Sequence, residues 1–73
     1  MRIQPKLEPG RSYRLIRPFE VRDEVTGTIR SILRAHTLVK IKRLDPDADR
    51  VWIDAVNLPL PLSALPRHLT PAG

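Results

Sequence analysis

The stretch Thr37-Leu38-Val39-Lys40-Ile41-Lys42-Arg43-Leu44-Asp45-Pro46-Asp47-Ala48-Asp49-Arg50-Val51-Trp52-Ile53-Asp54-Ala55-Val56 reads as two strands joined by a polar turn. Pro46 presets φ for the second position of a type I turn, and Asp45 before it can accept from the backbone two residues on. With Asp45 to Asp49 as the loop, Leu44 falls opposite Arg50 and the later pairs follow. One face then carries Arg43/Val51, Ile41/Ile53 and Val39/Ala55, largely apolar and β-branched as a core side should be. The other carries Lys42/Trp52, Lys40/Asp54 and Leu38/Val56. It offers an opposite-charge pair and a lysine laid on an indole ring, each worth up to about 1 kcal/mol when exposed. A slip by one residue would turn Lys40 and Lys42 inward and expose both isoleucines, so the register is specified.

Upstream, residues 12–22 alternate, with Tyr13, Leu15, Phe19 and Val21 on one side and Arg14, Glu20 and Arg22 on the other. That is a strand pattern. Pro18 donates no ladder hydrogen bond, so the strand lies at an edge or breaks at residue 18. Residues 23–36 admit two readings. Ile29, Ile32, Leu33 and His36 fall at i, i+3, i+4 and i+7, with Arg30 and Arg34 opposite, which favours an amphipathic helix of two to three turns. Thr26 or Thr28 would cap it, and Asp23 and Glu24 lie where a helix dipole favours negative charge. Gly27 and the β-branched run Val25-Thr26-Thr28-Ile29 suit a strand instead.

The chain ends in a segment with prolines at 59, 61, 66 and 71 and leucines at 58, 60, 62, 65 and 69. So many prolines exclude a long helix or an inner strand. The leucines predict an extended wrap across one opening of the sheet, with a helical turn at 63–65. At the other end, Pro5, Pro9 and Gly10 favour an extended basic arm. The expected organisation is a flexible arm over 1–11, one domain over 12–69, and a loose end over 70–73. The expected fold is α+β: a small antiparallel sheet of three to four strands, one short helix and the Pro/Leu-rich wrap. An all-β SH3-like barrel is the alternative.

With 73 residues the chain is near the lower limit for a domain held by burial alone, and it has no cysteine to staple it. No apolar run approaches the ~18 residues of a membrane span, and the first residues lack the apolar core of a secretory signal. A soluble protein working without a membrane is expected. The net charge of +5 is uneven: residues 1–22 carry +4, residues 23–44 carry +3 and residues 45–73 carry −2. The cationic first part suits nucleic-acid phosphate or an acidic protein surface.

Chemistry is thinly represented. Asp45, Asp47 and Asp49 have the spacing of a calcium loop, but Arg50 stands where a tight-turn glycine is needed and Val56 where a bidentate glutamate is needed. His36 and His68 each lack a second ligand at metal spacing. Ser12, Ser31 and Ser63 have no nucleophile-elbow context, and no glycine loop cradles phosphate. The expectation is a non-enzyme with no catalytic residue, no metal and no cofactor. Contact residues chosen from charge and patterning are Arg2, Lys6 and Arg11 in the arm, Arg14, Arg17 and Arg22 on the first strand, and Lys40, Lys42 and Trp52 on the outer hairpin face. A direct nucleic-acid module would stack bases on Tyr13 and Trp52 beside Lys40 and Lys42.

The start Met1-Arg2-Ile3-Gln4-Pro5-Lys6-Leu7, the hairpin around Asp45-Pro46-Asp47 and the Arg/Leu/Pro/Ala bias complete a layout of arm, strand, ambiguous segment, hairpin and Pro-Leu tail. In that layout the chain resembles the small RNA-polymerase-binding transcription regulators of lytic phages, those infecting Xanthomonas in particular. The resemblance implies a monomer in the bacterial host cytoplasm that binds the β and β′ subunits of RNA polymerase near the RNA exit channel, with nucleic acid close by. It implies inhibition of sigma-dependent initiation and suppression of intrinsic termination. The alternative is a small SH3-like or OB-like β-module that binds RNA or DNA directly.

Overall fold

The computed structural model describes residues 6–72. Its strands are β1 (Ser12–Leu15), β2 (Phe19–Arg22), β3 (Ile29–Leu33), β4 (Leu38–Asp45), β5 (Arg50–Ile53), β6 (Leu60–Pro61) and β7 (Leu69–Pro71). Short 3-10 turns occupy Pro46–Ala48 and Leu65–His68. The expected α+β fold with one short helix is therefore corrected: among the described residues there is no α-helix. The all-β alternative fits. Five strands form an antiparallel sheet in the order β6-β5-β4-β1-β7, and β2 and β3 form a separate hairpin. This order, with a hairpin after the first strand and a 3-10 turn before the last, is an SH3-like arrangement.

The break at Pro18 is what separates the two sheets. Strand β1 stops at Leu15, and β2 resumes at Phe19. Tyr13, Leu15, Phe19 and Val21 are all buried as their alternation requires. They join Leu33, Val39, Ile41, Val51, Ile53, Leu60, Leu65 and Leu69 in one core, to which Leu7 also contributes. His68 seals one corner, its ring edge-on to Phe19 at 4.9 Å with Nδ1 3.1 Å from the Pro18 carbonyl.

The helix expected within residues 28–36 is corrected: Ile29–Leu33 form strand β3, and Ala35 and His36 lie in a turn. Asp23 takes the backbone amides of Val25 and Thr26 on one carboxylate oxygen at 2.8 and 3.1 Å. Gly27, at φ 74, closes the turn by donating to the Asp23 carbonyl. The groups that could have capped a helix thus build a hairpin turn. Pairing of β2 with β3 sets Phe19 opposite Leu33, Glu20 opposite Ile32, Val21 opposite Ser31 and Arg22 opposite Ile29. Arg30 is the extra residue of a β-bulge.

The central hairpin is real but its turn is tighter than expected. Asp45, rather than Leu44, stands opposite Arg50, and Leu44 pairs with Val51. A bulge at Lys42 restores Ile41 opposite Ile53. The correction moves Arg43 from the core side to the outer side, where it faces Trp52, and gives its inner place to Leu44. A buried guanidinium without a carboxylate would cost several kcal/mol, and one extra residue in β4 avoids it. Asp45 caps the turn through the Ala48 amide, and Asp49 adopts φ 56.

The leucine-rich tail wraps the sheet. Leu60 and Pro61 form an edge strand on β5, which suits a residue with no amide to donate. The helical turn lies at Leu65–His68 rather than at 63–65. Asp49 explains the shift, since its carboxylate takes both the Ser63 amide and the Ser63 hydroxyl at 2.8 and 2.9 Å and holds that residue outside the turn. Thr70 and Pro71 pair with Arg14 and Tyr13, and the Ala72 amide donates to the Ser12 carbonyl. At the other end, Gly10 donates to the Ile41 carbonyl and Ile41 donates back to Arg11, prolonging the β1–β4 ladder.

Candidate partner-binding face

The outer side of the five-stranded sheet gathers a strip of cations around one indole. In β1, Arg14 lies between Leu38 of β4 and Thr70 of β7, and its guanidinium donates to the His36 carbonyl at 3.1 Å. Next along β4 is Lys40, opposite Ser12, followed by Lys42 at the bulge and Arg43. The Arg43 guanidinium carbon sits 4.1 Å from the centroid of the half-buried Trp52 ring. The two-residue period of a strand places Arg14 and Lys40 outward, and the bulge adds Lys42 and Arg43 consecutively.

The electrostatics of this strip differ from the expected pairing. The expected register sets Asp54 opposite Lys40 as its charge partner, but its carboxylate accepts from the Lys40 backbone amide at 2.9 Å, and the Asp54 amide donates to the Lys40 carbonyl. The indole is covered by Arg43 instead of Lys42. Among the described residues, none of Arg14, Lys40, Lys42 and Arg43 is in an ion pair, and all four are exposed. Leu38 adds an apolar contact, being 53% exposed beside Arg14.

The remaining contact residues scatter. Arg2 lies outside the described residues. Lys6 is exposed, and its carbonyl accepts from the Tyr13 hydroxyl at 2.9 Å. That hydroxyl also accepts from the Glu8 amide, and Tyr13 is buried, so its ring is part of the core and no stacking platform. Arg11 pairs with Glu8 at 3.3 Å. Arg17 sits in the link between β1 and β2, and Arg22 belongs to the hairpin, where it is held by Glu20 at 3.0 Å and by the Gly27 carbonyl. The structure thus brings together Arg14, Lys40, Lys42 and Trp52 and leaves Arg17 and Arg22 elsewhere. It adds Arg43, which sequence reasoning missed because a bulge has no composition signal in a run of three cations among apolar residues.

A cleft of about 420 Å³ opens between the β2–β3 hairpin and the Pro46–Ala48 turn, with Pro59 and Pro61 on its far wall. An ion pair of 2.7 Å between Arg50 and Glu24 spans it. Its other carboxylates are also engaged: Glu20 by Arg22, Asp23 by its turn amides and Asp49 by Ser63. The amides of Thr26 and Val25 hold the Asp23 carboxyl below its ordinary value of 3.8. Among the described residues, no group of His, Asp or Glu side chains is placed to hold a metal ion, and no helix is long and apolar enough to cross a membrane.

Comparison with family models, with curated proteins and with solved structures finds no match for this chain.

Proposed function

We propose that this chain is a non-catalytic regulator of transcription that docks on the β and β′ subunits of bacterial RNA polymerase and works in the host cytoplasm. Docking would inhibit sigma-dependent initiation and suppress intrinsic termination. The observation that carries the reading is the outward strip of Arg14, Lys40, Lys42 and Arg43, exposed and without an ion pair among the described residues. Such a strip raises the encounter rate with an acidic protein surface and fixes the docking register. The resemblance of the sequence layout to the phage regulators is the ground for proposing the polymerase as that surface.

Direct binding of RNA or DNA is a second reading, favoured by the Arg43–Trp52 stack. A ring flanked by cations is the minimal element on which a base can stack. One affinity capture separates the two. Tagged protein is mixed with nuclease-treated lysate and washed at rising salt. Under the first reading β and β′ stay bound, and the Arg14→Glu/Lys40→Glu/Lys42→Glu variant loses them. Under the second, the purified protein binds a random oligonucleotide with affinity falling steeply in log salt, by a slope near the number of phosphates engaged. Tight oligonucleotide binding with no polymerase captured would overturn the first reading.

A further inference from the structure

The β2–β3 hairpin presents a second surface, unrelated to the cationic strip. Strand β3 is paired with β2 along one edge. Among the described residues, its other edge has no backbone partner. The bulge at Arg30 changes what β3 shows. Ile29 and Ile32 are three residues apart and would face opposite sides of a regular strand. Their partners Arg22 and Glu20 are two apart, so with the bulge both isoleucines lie on one face. Both are open to solvent, Ile29 at 42% and Ile32 at 57% exposed. Opposite Arg22 and Glu20, the two form a small apolar patch on the open face of the hairpin.

Charge at this edge is one-sided. Glu20 and Glu24 are ion-paired, and the Asp23 carboxylate, although it feels the charge of Arg30, is held by turn amides. Arg30 and Arg34 are exposed and make no ion pair among the described residues.

We propose that the free edge of β3 takes an extended acidic segment of another protein by strand addition. The segment's backbone completes the hydrogen bonds of β3, as in other cases of an added strand. Its apolar side chains lie beside Ile29 and Ile32, and its carboxylates along the edge come within reach of the long, exposed side chains of Arg30, at the bulge, and Arg34, just past the end of β3. A second copy of this chain is a poorer occupant, since its own β3 would bring Arg30 and Arg34 against the same two arginines. A bulge and cations on an edge discourage pairing with other chains in general, so the added strand has to be one whose charge offsets the two arginines. The proposal goes beyond polymerase docking and uses none of the residues of the outer strip.

The test titrates the isotope-labelled full chain with a short synthetic peptide of alternating valine and glutamate, with a valine–lysine peptide as control. The glutamate peptide is expected to shift the amide signals of residues 28–34 and to slow their exchange. Its affinity should fall about tenfold in an Arg30→Glu/Arg34→Glu variant, each exposed charge pair being a modest term. That variant should prefer the lysine peptide, while Lys40→Glu/Lys42→Glu should bind the glutamate peptide as the natural chain does. The proposal is overturned if millimolar glutamate peptide leaves residues 28–34 unmoved, or if both peptides act alike. It is equally overturned if the shifts map to Lys40, Lys42 and Trp52, or if the edge proves to pair with a second copy.

Discussion

The guanidinium of Arg43 lies 4.1 Å from the centroid of the Trp52 ring because the bulge at Lys42 has turned it out of the core. Arg43 is exposed and Trp52 half-buried, and at such a surface site a cation–π pair is worth about 0.5–1 kcal/mol. Arg43→Gln should lower stability by about that amount in urea titration and shift Trp52 emission to the red as water reaches the ring. Lys42→Gln should do neither, since Lys42 does not cover the indole.

The Tyr13 hydroxyl both donates to the Lys6 carbonyl at 2.9 Å and accepts from the Glu8 amide at 3.0 Å, while its ring is buried. Tyr13→Phe keeps the packing and strands two backbone groups. The expected cost is about 1–2 kcal/mol. Amide exchange should show residues 6–11 opening while β4 and β5 keep their protection.

Asp49 joins the hairpin turn to the tail through the Ser63 amide and hydroxyl, and its carbonyl accepts from Leu62. It does so at φ 56, which costs a residue with a Cβ roughly 1 kcal/mol. Asp49→Ala loses the side-chain bonds and keeps the strain, so a loss of about 1–2 kcal/mol is expected. Asp49→Gly loses the same bonds but relieves the strain, and thermal unfolding should place it above Asp49→Ala.

The central hairpin was legible because its inner face is written in period two: Val39 and Ile41 on one strand, Val51 and Ile53 on the other, all buried. Its bulge was not, since a single extra cation among Lys40, Lys42 and Arg43 leaves no trace in hydropathy. The same blindness misled the reading of 23–36. A bulge at Arg30 puts residues three apart on one face, and that spacing in sequence is the signature of a helix. Nothing in the sequence distinguishes Ile29 and Ile32, which face solvent, from Leu33, which alone in this strand enters the core, because burial there depends on which face of the hairpin meets the core. In the site, charge counting found Arg14, Lys40 and Lys42, whereas the loss of Arg17 and Arg22 to other surfaces follows from the chain turning at Pro18.

This difference between neighbouring residues can be measured. Leu33 is 8% exposed and opposite Phe19, whereas Ile32 is 57% exposed and opposite Glu20. Leu33→Ala should cost about 2–4 kcal/mol by truncating a core side chain. Ile32→Thr keeps the β-branch on an open face and should change stability by less than about 0.5 kcal/mol. An equal, large loss in both would indicate the buried helical face and would reject the bulged strand.

Acid should loosen the hairpin tip before the rest of the fold. Amide donation by Thr26 and Val25 favours the ionised Asp23, which places its folded pKa below the ordinary 3.8. A carboxyl with a depressed folded pKa stabilises fully above its unfolded pKa, and that stabilisation is lost as pH falls through the folded value. The window therefore lies below about pH 4. As the carboxyl protonates, its hold on the two amides weakens, and Gly27 is left to close the turn alone. Amide exchange at Val25 and Thr26, corrected for the intrinsic pH dependence of exchange, should accelerate through this window while Ile41 and Ile53 remain protected. Asp23→Asn supplies the control, because its amide oxygen still accepts from Val25 and Thr26 yet has no proton to gain. Its tip should be somewhat looser at neutral pH and indifferent to acid in the same window. Were the natural chain equally indifferent, the carboxylate would have no part in holding the turn.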